Sequence, residues 1–409
     1  MIPHLKSVLR NPGPMPILFV HASDDLYGAD VIILEIVKRL DRTKYDPIVV
    51  LPSDMEHVGL LSRELQAAGI EYHHLPILIL RRRYLGPRGF FHIVKCAVLG
   101  TWTLKKLIRQ RNVRLIHSTT LSVLAAPLAA WVTRTPLVSH VQEMLVDPRI
   151  VRKALHAITS HSADRIICIS DSVRAHILED QPNAAKLVEV VRNSIPSPAE
   201  PSRTIEEMRS ELGLRADLPV AGMIGRVSPW KGQEIFVRAA AILRSEGIAC
   251  QFVAIGGVFD SERHHLDRLN EIIRSLNLEN LVKVEGFRKD ARELIAAFDV
   301  FVLPSILPEP FGLVVAEAMA AGKPVIATAH GGPTEMVVEG ETGFLIPPND
   351  PSALASAIKK LLAHPEEAAR LGKAAQKRFL DHFEMRDYIE RIQRLYDATL
   401  AEGKWPRRS

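Results

Sequence analysis

The sequence predicts an α/β protein made of two Rossmann-like domains that face one another across a cleft. Two observations lead to this prediction. Short apolar segments alternate with helix-length segments along the whole chain, and a proline-rich polar stretch, Asn193 to Pro201, divides them into two series. Strands that are apolar on both faces and are joined by helices form parallel sheets. Each series is long enough to build one such domain.

Thirteen strands are predicted, seven before the break and six after it. The first seven are Pro16–His21, Pro47–Leu51, Glu71–Leu75, Leu115–Ser118, Leu137–Val141, Arg165–Ile169 and Leu187–Val191. The other six are Pro219–Ile224, Cys250–Ile255, Val282–Glu285, Val300–Pro304, Pro324–Ala327 and Gly343–Ile346. We therefore place an N-terminal domain at residues 1–195 and a C-terminal domain at 196–382. Residues 383–409 contain an amphipathic helix that we expect to pack back on the N-terminal domain.

The composition is that of a globular protein of the reducing cytoplasm. The chain has 409 residues, 47% of them hydrophobic and 24% charged. Its three cysteines lie far apart in sequence, which suggests neither a disulfide framework nor a zinc site. Its first apolar run, residues 15–20, is too short for a signal peptide. The longest uncharged run, residues 115–133, contains polar side chains and predicts a strand and a buried helix rather than a membrane span.

The positive charge is concentrated in the first half of the chain. Residues 1–195 contain 25 Lys and Arg against 17 Asp and Glu, and residues 72–142 contain eleven basic residues and no acidic one. In the region 81–114 these cations are interleaved with Tyr, Phe and Trp, which favours an anionic membrane surface as a partner. A solvated basic face over a buried helix is the alternative. Nucleic acid is disfavoured because no recognisable binding module accompanies the charge.

The strongest motif of the chain is a pair of carboxylates, Glu309 and Glu317, separated by eight positions. A helix that starts near Gly312 would direct free backbone N–H groups and the positive end of its dipole at the preceding loop, which favours a bound phosphate. Glu309 would lie at the start of the helix and Glu317 about one and a half turns along it. The two carboxylates could accept hydrogen bonds from ligand hydroxyls at the start of the helix and further along it, with a diphosphate site between them. This arrangement fits a nucleotide-sugar. Two solvated charges are the alternative for an isolated pair.

Other strand ends of the second series supply candidate phosphate and base contacts. Gly225 and Arg226 follow one strand directly, and Lys231 comes five residues later, so that two cations approach the same sheet edge. A tight turn with two solvated cations is the alternative. Phe287 and Arg288 follow another strand, where backbone groups of the turn could contact a nucleobase or form only a turn.

The first series offers fewer candidates. Gly28 opens the first helix and permits close backbone approach of a phosphate or sugar, while His140 lies at a strand end, where a single histidine is more often structural. The chain lacks a G-x-G-x-x-G motif after a strand, an Asp-x-Asp motif near a strand end and a serine nucleophile elbow. A nicotinamide cofactor, a divalent metal ion and serine hydrolase chemistry are therefore disfavoured.

Taken together, these residues resemble retaining glycosyltransferase family 4, the glycosyl transferases group 1, which have the GT-B fold. The resemblance covers nearly the whole chain and rests on segments that follow the family's order. These segments are Leu26-Tyr27-Gly28-Ala29-Asp30, Ala163 to Ser170, Arg192-Asn193-Ser194-Ile195, Gly225-Arg226 with Lys231-Gly232, and Glu309 with Glu317.

The resemblance implies a role for each candidate residue. Arg226 and Lys231 would neutralise the donor diphosphate, and the backbone of Phe311, Gly312 and Leu313 would hold phosphate and sugar. Glu309 would contact the sugar hydroxyls, and Glu317 would bind the ribose. Phe287 and Arg288 would contact the base, and His140 would lie near the reacting sugar or acceptor. No cofactor or metal is expected. The implied activity is retaining, metal-independent transfer of a hexose-type sugar from a UDP- or GDP-linked donor to a glycan or lipid-linked acceptor.

Two other functions remain compatible with the sequence. One is a different GT-B enzyme, such as a nucleotide-sugar epimerase or a phosphorylase, and the other is a non-catalytic module that binds a nucleotide-sugar. The expected setting is cell-surface polysaccharide or glycolipid synthesis by a cytoplasmic protein that binds the inner face of the membrane peripherally.

Overall fold

The computed structural model describes residues 13–55, 59–81, 84, 91 and 93–402. Within these residues the chain forms two compact units. Unit 1 contains the described parts of Met1–Cys168, His176–Val190 and Ile389–Ser409, and unit 2 contains Ile169–Ala175 and Val191–Tyr388. Unit 2 therefore includes a short segment from within the first series of strands, and unit 1 includes the last part of the chain.

Unit 1 is built on a parallel sheet of seven strands. Its strands are β1 (Met15–Val20), β2 (Tyr45–Pro52), β3 (Glu71–Leu75), β4 (Leu115–Ser118), β5 (Leu137–Val141), β6 (Arg165–Cys168) and β7 (Val188–Val190). They lie in the order β3-β2-β1-β4-β5-β6-β7, with β1 paired to both β2 and β4. The strand order reverses at β1, so the carboxyl ends of β1 and β4 mark the place where open α/β sheets bind ligands.

The helices of unit 1 cover both faces of this sheet, as helices do in doubly wound folds. They are α1 (Gly28–Arg39), α2 (Leu60–Ala67), α3 (Thr101–Gln110), α4 (Ala125–Thr133) and α5 (Arg149–Ser162), and α6 (Asp171–Asp180) has its last residues in this unit. A π-helical turn, Cys96–Gly100, precedes α3. One core layer joins β1, β2 and β4 to α3 and α4, where Leu18, Val50, Leu104 and Ala126 are fully buried.

Unit 2 is built on a parallel sheet of six strands. They are β8 (Val220–Ile224), β9 (Gln251–Ile255), β10 (Val282–Glu285), β11 (Val300–Leu303), β12 (Val325–Thr328) and β13 (Gly343–Ile346), in the order β10-β9-β8-β11-β12-β13. The helices are α7 (Ile205–Glu211), α8 (Gln233–Ser245), α9 (Arg263–Ser275), α10 (Ala291–Leu294), α11 (Leu313–Ala320), α12 (Pro333–Met336), α13 (Pro351–Ala363), α14 (Pro365–His382) and the start of α15 (Met385–Glu402). The order reverses at β8, so the loops after β8 and β11 adjoin one another.

The structure confirms the predicted α/β class and all thirteen predicted strands, each within two residues of its expected ends. The strands were predictable because both faces of each sheet are covered, and the central strands β4 and β8 are buried along their length. Residues 115–133 form β4 and α4 as expected, although Trp131 on α4 is 73% exposed.

The last helix, α15, belongs to unit 1 from Ile389 onward. Tyr396 is fully buried there, with its ring 6.4 Å from that of Phe19 and 5.9 Å from that of Tyr45. The Tyr45 hydroxyl donates to Asp397 Oδ1 at 2.7 Å. Burial of a large aromatic ring contributes about 2–3 kcal/mol, so Tyr396 is a principal contact between α15 and the sheet.

Candidate active site

The loop after β11 carries Glu309, whose carboxylate is buried and accepts two hydrogen bonds at one oxygen. Glu309 is 3% exposed, and its Oε1 accepts hydrogen bonds from Lys231 Nζ and Ser305 Oγ, each at 2.6 Å. Ser305 is itself fixed, because its carbonyl accepts from Thr328 Oγ1 and lies 2.9 Å from His330 Nε2. A buried carboxylate is stable when it is paired with a cation and hydrogen-bonded, and Glu309 meets both conditions.

Two glycines after β12 hold the Glu309 loop in place. The Gly332 N–H donates to the Glu309 carbonyl at 2.8 Å. A Cβ on Gly331 would lie 2.2 Å from the Glu309 carbonyl oxygen, and one on Gly332 would lie 2.3 Å from Phe311 Cα. Because both distances are far below van der Waals contact, only glycine allows this approach of the two loops.

The helix predicted from Gly312 to Ala321 is present as α11, with Gly312 as its N-cap. Gly312 has φ +90°, a left-handed conformation that turns the chain into the helix and that favours glycine. The Phe311 side chain is buried, with its ring 6.0 Å from that of Phe383. A ligand at this helix start would therefore contact Phe311, Gly312 and Leu313 through the backbone, whose first N–H groups lack intrahelical acceptors.

The loop after β8 approaches the Glu309 loop closely. The Gly225 N–H donates to the Ile255 carbonyl at 2.9 Å, and the Ile306 N–H donates to the Trp230 carbonyl at 2.7 Å. Gly232 begins α8 with φ +80°, and a Cβ there would lie 1.9 Å from the Pro304 carbonyl oxygen. This close passage of the two loops brings Lys231 to Glu309.

The two predicted phosphate-binding cations have different surroundings. Lys231 lies over the Trp230 ring, 4.3 Å from its centroid, and pairs with Glu309. Arg226 instead pairs with Glu262, NH1 to Oε2 at 2.7 Å, and lies 4.2 Å from the centre of the Phe259 ring. Sequence reasoning missed Glu262 and Phe259, because they lie in and beside a short 3₁₀ turn before α9 that no motif marks.

Glu317 lies on α11, about one and a half turns after its start, as predicted. Burial raises the pKa of its carboxyl from 4.5 to about 7, and the charge of Arg292 opposes that rise. The carboxyl is therefore partly protonated near neutral pH. A hydroxyl-rich ligand bound there would meet a group that can act as an acceptor or as a donor.

The predicted base-contacting turn after β10 is divided between an exposed ring and a paired cation. Phe287 is 43% exposed, whereas Arg288 donates to Asp290 Oδ1 at 2.8 Å and to Glu211 Oε1 at 2.7 Å. These hydrogen bonds hold the pKa of Asp290 well below its usual range and raise that of Arg288. The Arg288 side chain thus takes part in an ion-pair network of unit 2.

In unit 1, Gly28 is the first residue of α1 and is exposed. The turn before it is fixed by Asp30, whose Oδ2 accepts from the Tyr27 N–H at 2.8 Å and whose Oδ1 lies 2.6 Å from His21 Nε2. His21 Nδ1 lies 2.5 Å from Thr119 Oγ1. His21 and Thr119 follow β1 and β4, so this buried network fixes the loop at the strand-order reversal. Neither residue was singled out from the sequence.

His140 lies near the carboxyl end of β5 and is 1% exposed. Burial lowers the pKa of its imidazole to about 3, so the ring is neutral at physiological pH. Its Nδ1 lies 3.2 Å from Nε2 of His117, another buried residue, on β4. A neutral histidine can donate one hydrogen bond and accept one, but it carries no charge toward a phosphate.

Glu143, three residues after His140, is a second carboxyl with a raised pKa. Its Oε1 accepts from the Leu121 N–H at 2.6 Å, and burial raises its pKa to about 7. Nothing in the sequence indicated how strongly the pKa of Glu143 is perturbed.

In residues 13–55, 59–81, 84, 91 and 93–402, no group of three or more His, Cys, Asp and Glu side chains could hold a metal ion. Within the same part of the chain, no helix combines the length and the apolar character needed to cross a bilayer.

Two protein families match consecutive parts of the chain. The family described as glycosyl transferases group 1 matches residues 204–378, which contain the Lys231, Glu309 and Glu317 site. The family described as glycosyl transferase 4-like domain matches residues 27–194, which contain Gly28 and His140.

Curated relatives and a solved structure agree with these matches. The D-inositol 3-phosphate glycosyltransferase of Kineococcus radiotolerans is 32% identical over 53% of this chain and 53% of its own length, so that match spans about half of the relative. The enzyme of the same name from Streptomyces avermitilis is 27% identical over 92% of this chain and 85% of its own length. Anabaena HepE, solved in complex with UDP and glucose, is 27% identical with a TM-score of 0.80, covering 94% of this chain and 100% of that chain. The chain belongs to the group 1 glycosyltransferases of family 4, and its two parallel α/β units are the Rossmann-like domains of the GT-B fold.

Proposed function

We propose that this glycosyltransferase moves a sugar from a UDP- or GDP-linked donor to a glycan or lipid-linked acceptor, with retention at the anomeric carbon and without a metal ion. The observation that carries the proposal is the Lys231–Glu309 pair, 2.6 Å apart, beside the glycine-capped start of α11. A cation, a helix N-terminus and a buried carboxylate are the groups that a sugar diphosphate needs. A uridine donor is supported by HepE, which binds UDP and glucose.

The donor diphosphate would lie at the start of α11. Lys231 supplies a point charge there, and the backbone N–H groups of Gly312 and Leu313 supply fixed donors. Arg226 follows the neighbouring strand and would add a bidentate contact after leaving Glu262. When the bond between the anomeric carbon and the phosphate oxygen breaks, its electron pair stays on the phosphate, where these groups stabilise the growing charge.

The acceptor hydroxyl would then form the new bond to the anomeric carbon. Its proton passes to the departing phosphate oxygen, so the atoms and charges balance without a protein base. Attack on the face that the phosphate leaves gives retention. Glu309 would hold sugar hydroxyls with its carboxylate, and Glu317 would do the same for the ribose. These are binding roles, and Glu309 is not one of the two carboxylates of a glycosidase mechanism.

A binding screen followed by a turnover assay tests this function. Thermal shift against UDP, GDP, ADP, CMP and their common sugars should show stabilisation by one nucleotide class, weakened in Glu317→Ala. With that nucleotide-sugar, Glu309→Gln and Lys231→Met should lower kcat/KM at least about 100-fold, equivalent to about 2.7 kcal/mol of transition-state stabilisation.

Glu279→Gln is the matched control, because Glu279 is an exposed residue of the same unit. It should retain wild-type kcat/KM. Stabilisation by none of the nucleotides would contradict the donor site. Release of free sugar or sugar phosphate with every acceptor offered would contradict transfer.

We further propose that the enzyme binds an anionic membrane surface through the helical face that precedes and includes α3. The exposed apolar side chains are Phe91, Val94, Val98, Leu99 and Trp102. Most of them recur at helical spacing, and Lys106 Nζ lies 5.9 Å from the centre of the Trp102 ring. Apolar and aromatic side chains flanked by lysines suit the lipid headgroup boundary. Arg82, Arg83 and Arg88, which contribute to the predicted basic region 81–114, lie outside the described residues.

Flotation with vesicles of phosphatidylcholine and phosphatidylserine tests the membrane contact. The double variant Val98→Ser with Trp102→Ser should lose most of the vesicle-bound fraction. Leu380→Ser should retain it, because Leu380 is a comparably exposed leucine in unit 2, 56% exposed. Flotation that is the same for both variants would overturn the proposed surface.

A further inference from the structure

A line of three buried rings in unit 1 joins the C-terminal helix to His140. The Tyr396 hydroxyl lies 2.7 Å from His117 Nδ1, and His117 Nε2 lies 3.2 Å from His140 Nδ1. Successive ring centroids are 5.8 and 5.3 Å apart, and each residue is at most 1% exposed. We call Tyr396, His117 and His140 the ring relay. It connects α15 with the carboxyl ends of β4 and β5.

The ring relay can carry its protons in two directions. If the Tyr396 hydroxyl donates to His117 Nδ1, then His117 donates from Nε2 to His140 Nδ1, and the His140 proton is on Nε2. If every donation is reversed, His140 carries its proton on Nδ1 and has a lone pair at Nε2. Because burial lowers the pKa of both imidazoles, each ring is neutral with one proton, so the first bond decides the rest.

The first direction is chemically favoured. A phenol is a good hydrogen-bond donor, whereas an imidazole nitrogen is a much stronger base than a phenolic oxygen and is the better acceptor. The bond between Tyr396 and His117 is therefore O–H to nitrogen. Neutral hydrogen bonds of this kind strengthen one another along a chain in a low-dielectric interior. The proton on His140 consequently lies on Nε2.

His140 Nε2 is the last atom of the ring relay, and neither Tyr396 nor His117 accepts a hydrogen bond from it. Across the described residues it is one of the buried side-chain nitrogens without a hydrogen-bond partner. A buried N–H left unpaired costs about 1–3 kcal/mol, so such groups are retained where a ligand or water completes them. Its place at a strand end of a glycosyltransferase domain makes a sugar hydroxyl oxygen the fitting acceptor.

We propose that Tyr396 and His117 are positioning residues that fix His140 as the Nε2–H tautomer, so that His140 donates a hydrogen bond to a hydroxyl oxygen of the sugar substrate. This inference rests on the proposed function, and it assigns His140 the role of a neutral donor rather than that of a base. It also gives the C-terminal helix a part in the reaction, because the hydroxyl that sets the tautomer comes from α15.

The tautomer can be measured directly on the full-length protein without any substrate. Histidine labelled with ¹⁵N gives distinct shifts for protonated and unprotonated ring nitrogens, and the His140 signal is the one lost in His140→Gln. We expect a protonated Nε2 and an unprotonated Nδ1 in the wild type. The opposite pattern, or a mixture of the two, would overturn the proposal whatever the variants do.

The role of the hydroxyl is tested with Tyr396→Phe, which keeps the ring and removes the relay's first donor. Tyr45→Phe is the matched control, because Tyr45 also bonds α15, through Asp397, but does not contact His117. In Tyr396→Phe we expect two His140 tautomers and a kcat for UDP-glucose turnover lowered about tenfold, with the UDP dissociation constant unchanged. Tyr45→Phe should keep one tautomer.

Equal spectra and equal kcat for the two phenylalanine variants would show that Tyr396 acts only in helix packing, and this would overturn the relay. Failure of the proposed function looks different. In that case UDP-glucose and the other nucleotide-sugars neither bind nor turn over, while the tautomer of His140 in the wild type is still measured as one or the other.

Discussion

Lys231 and Glu309 lie 78 positions apart in the chain, yet their side chains meet at 2.6 Å inside unit 2. Three glycines make this contact possible, because Gly232 lets one loop pass Pro304 and because Gly331 and Gly332 let another pass Glu309 and Phe311. Breaking such a buried pair costs about 3–5 kcal/mol because one charge remains uncompensated. The pair is therefore held by the backbone geometry of three loops.

Replacing Gly331 with alanine should weaken both the fold and the donor site. The residue has φ +69°, and the added Cβ would lie 2.2 Å from the Glu309 carbonyl oxygen, so the Glu309 loop must move. We expect a loss of more than about 2 kcal/mol in the free energy of unfolding, measured by urea denaturation. Affinity for UDP-glucose, measured by calorimetry, should fall at least about tenfold.

Gly340→Ala separates the two causes of this effect. Gly340 has a similar φ of +71°, but nothing lies within 4 Å of the added Cβ, so this variant has the backbone strain without the clash. It should lose only about 1 kcal/mol of stability and no affinity for UDP-glucose. Equal losses in both variants would mean that the approach of Gly331 to the Glu309 loop is unimportant.

The raised pKa of Glu317 predicts a pH-dependent affinity for the donor. At pH 6 a carboxyl with a pKa of about 7 is mostly protonated, whereas at pH 8 it is mostly ionised and is the stronger acceptor for ribose hydroxyls. The dissociation constant of UDP-glucose should fall by up to about tenfold between pH 6 and pH 8. UDP-glucose is the suitable probe, because its phosphates are diesters that do not titrate in this range.

Glu317→Gln provides the control for this dependence, since its amide cannot ionise, and its dissociation constant should vary little over the same interval. The stability of the wild type should change in the opposite sense. Between the ordinary value of 4.5 and about 7, the folded carboxyl keeps a proton that the unfolded chain has lost, so the free energy of unfolding falls as pH rises through this window. A wild-type affinity as flat as that of Glu317→Gln would place the ribose elsewhere.

The strands and the Glu309 to Glu317 helix could be predicted because both depend on local pattern. Continuous apolar runs predict strands buried on both faces, and the apolar run after Gly312 predicts a helix, whose left-handed N-cap was seen only in the structure. The sequence indicated only that Lys231 and Glu309 both follow strands of the second series. It could not predict that their side chains meet, because this contact depends on Pro304, Gly331 and Gly332 in other loops.

The ring relay and the Arg226–Glu262 pair could not be predicted. Tyr396 and His117 lie on elements separated by most of the chain, and neither belongs to a motif. His140 was identified from its strand end, but its depressed pKa comes from burial, which a single sequence does not report. Arg288 is predicted to lie near the base, and its side chain pairs with Glu211 and Asp290, which nothing in the sequence indicated.

Removal of divalent metal should leave transfer intact. In the proposed function, Lys231, Arg226 and the α11 N-terminus would provide the positive charge that a metal supplies in other transferases, and they are covalent parts of the chain. We expect UDP-glucose turnover after dialysis against EDTA to remain within about twofold of its initial rate. A loss of activity that Mg²⁺ or Mn²⁺ restores would show that the donor diphosphate needs an ion in addition to these groups.

The pairing of Arg226 with Glu262 predicts that donor binding includes an exchange of partners. In the structure the Arg226 guanidinium is bonded to Glu262 and stacked on Phe259, so a donor phosphate must compete with that carboxylate. Glu262→Gln removes the competing charge and keeps the shape of the side chain. It should therefore tighten UDP-glucose binding by up to about fivefold, because a partly exposed ion pair contributes about 0.2–1 kcal/mol and a phosphate is the stronger partner.

Glu271→Gln is the control, since Glu271 is an exposed residue of α9, the helix that follows Glu262, and its replacement makes the same change in net charge. If the tightening came from net charge alone, both variants would show it equally at low salt, and added salt would abolish it in both. Arg226→Lys tests whether the Arg226 guanidinium itself contacts the donor phosphate. A lysine keeps the charge but loses the bidentate geometry and the stacking on Phe259, so it should bind UDP-glucose more weakly than wild type and gain nothing from Glu262→Gln. An unchanged affinity in Arg226→Lys would mean that Arg226 keeps Glu262 as its partner throughout and that Lys231 alone neutralises the diphosphate.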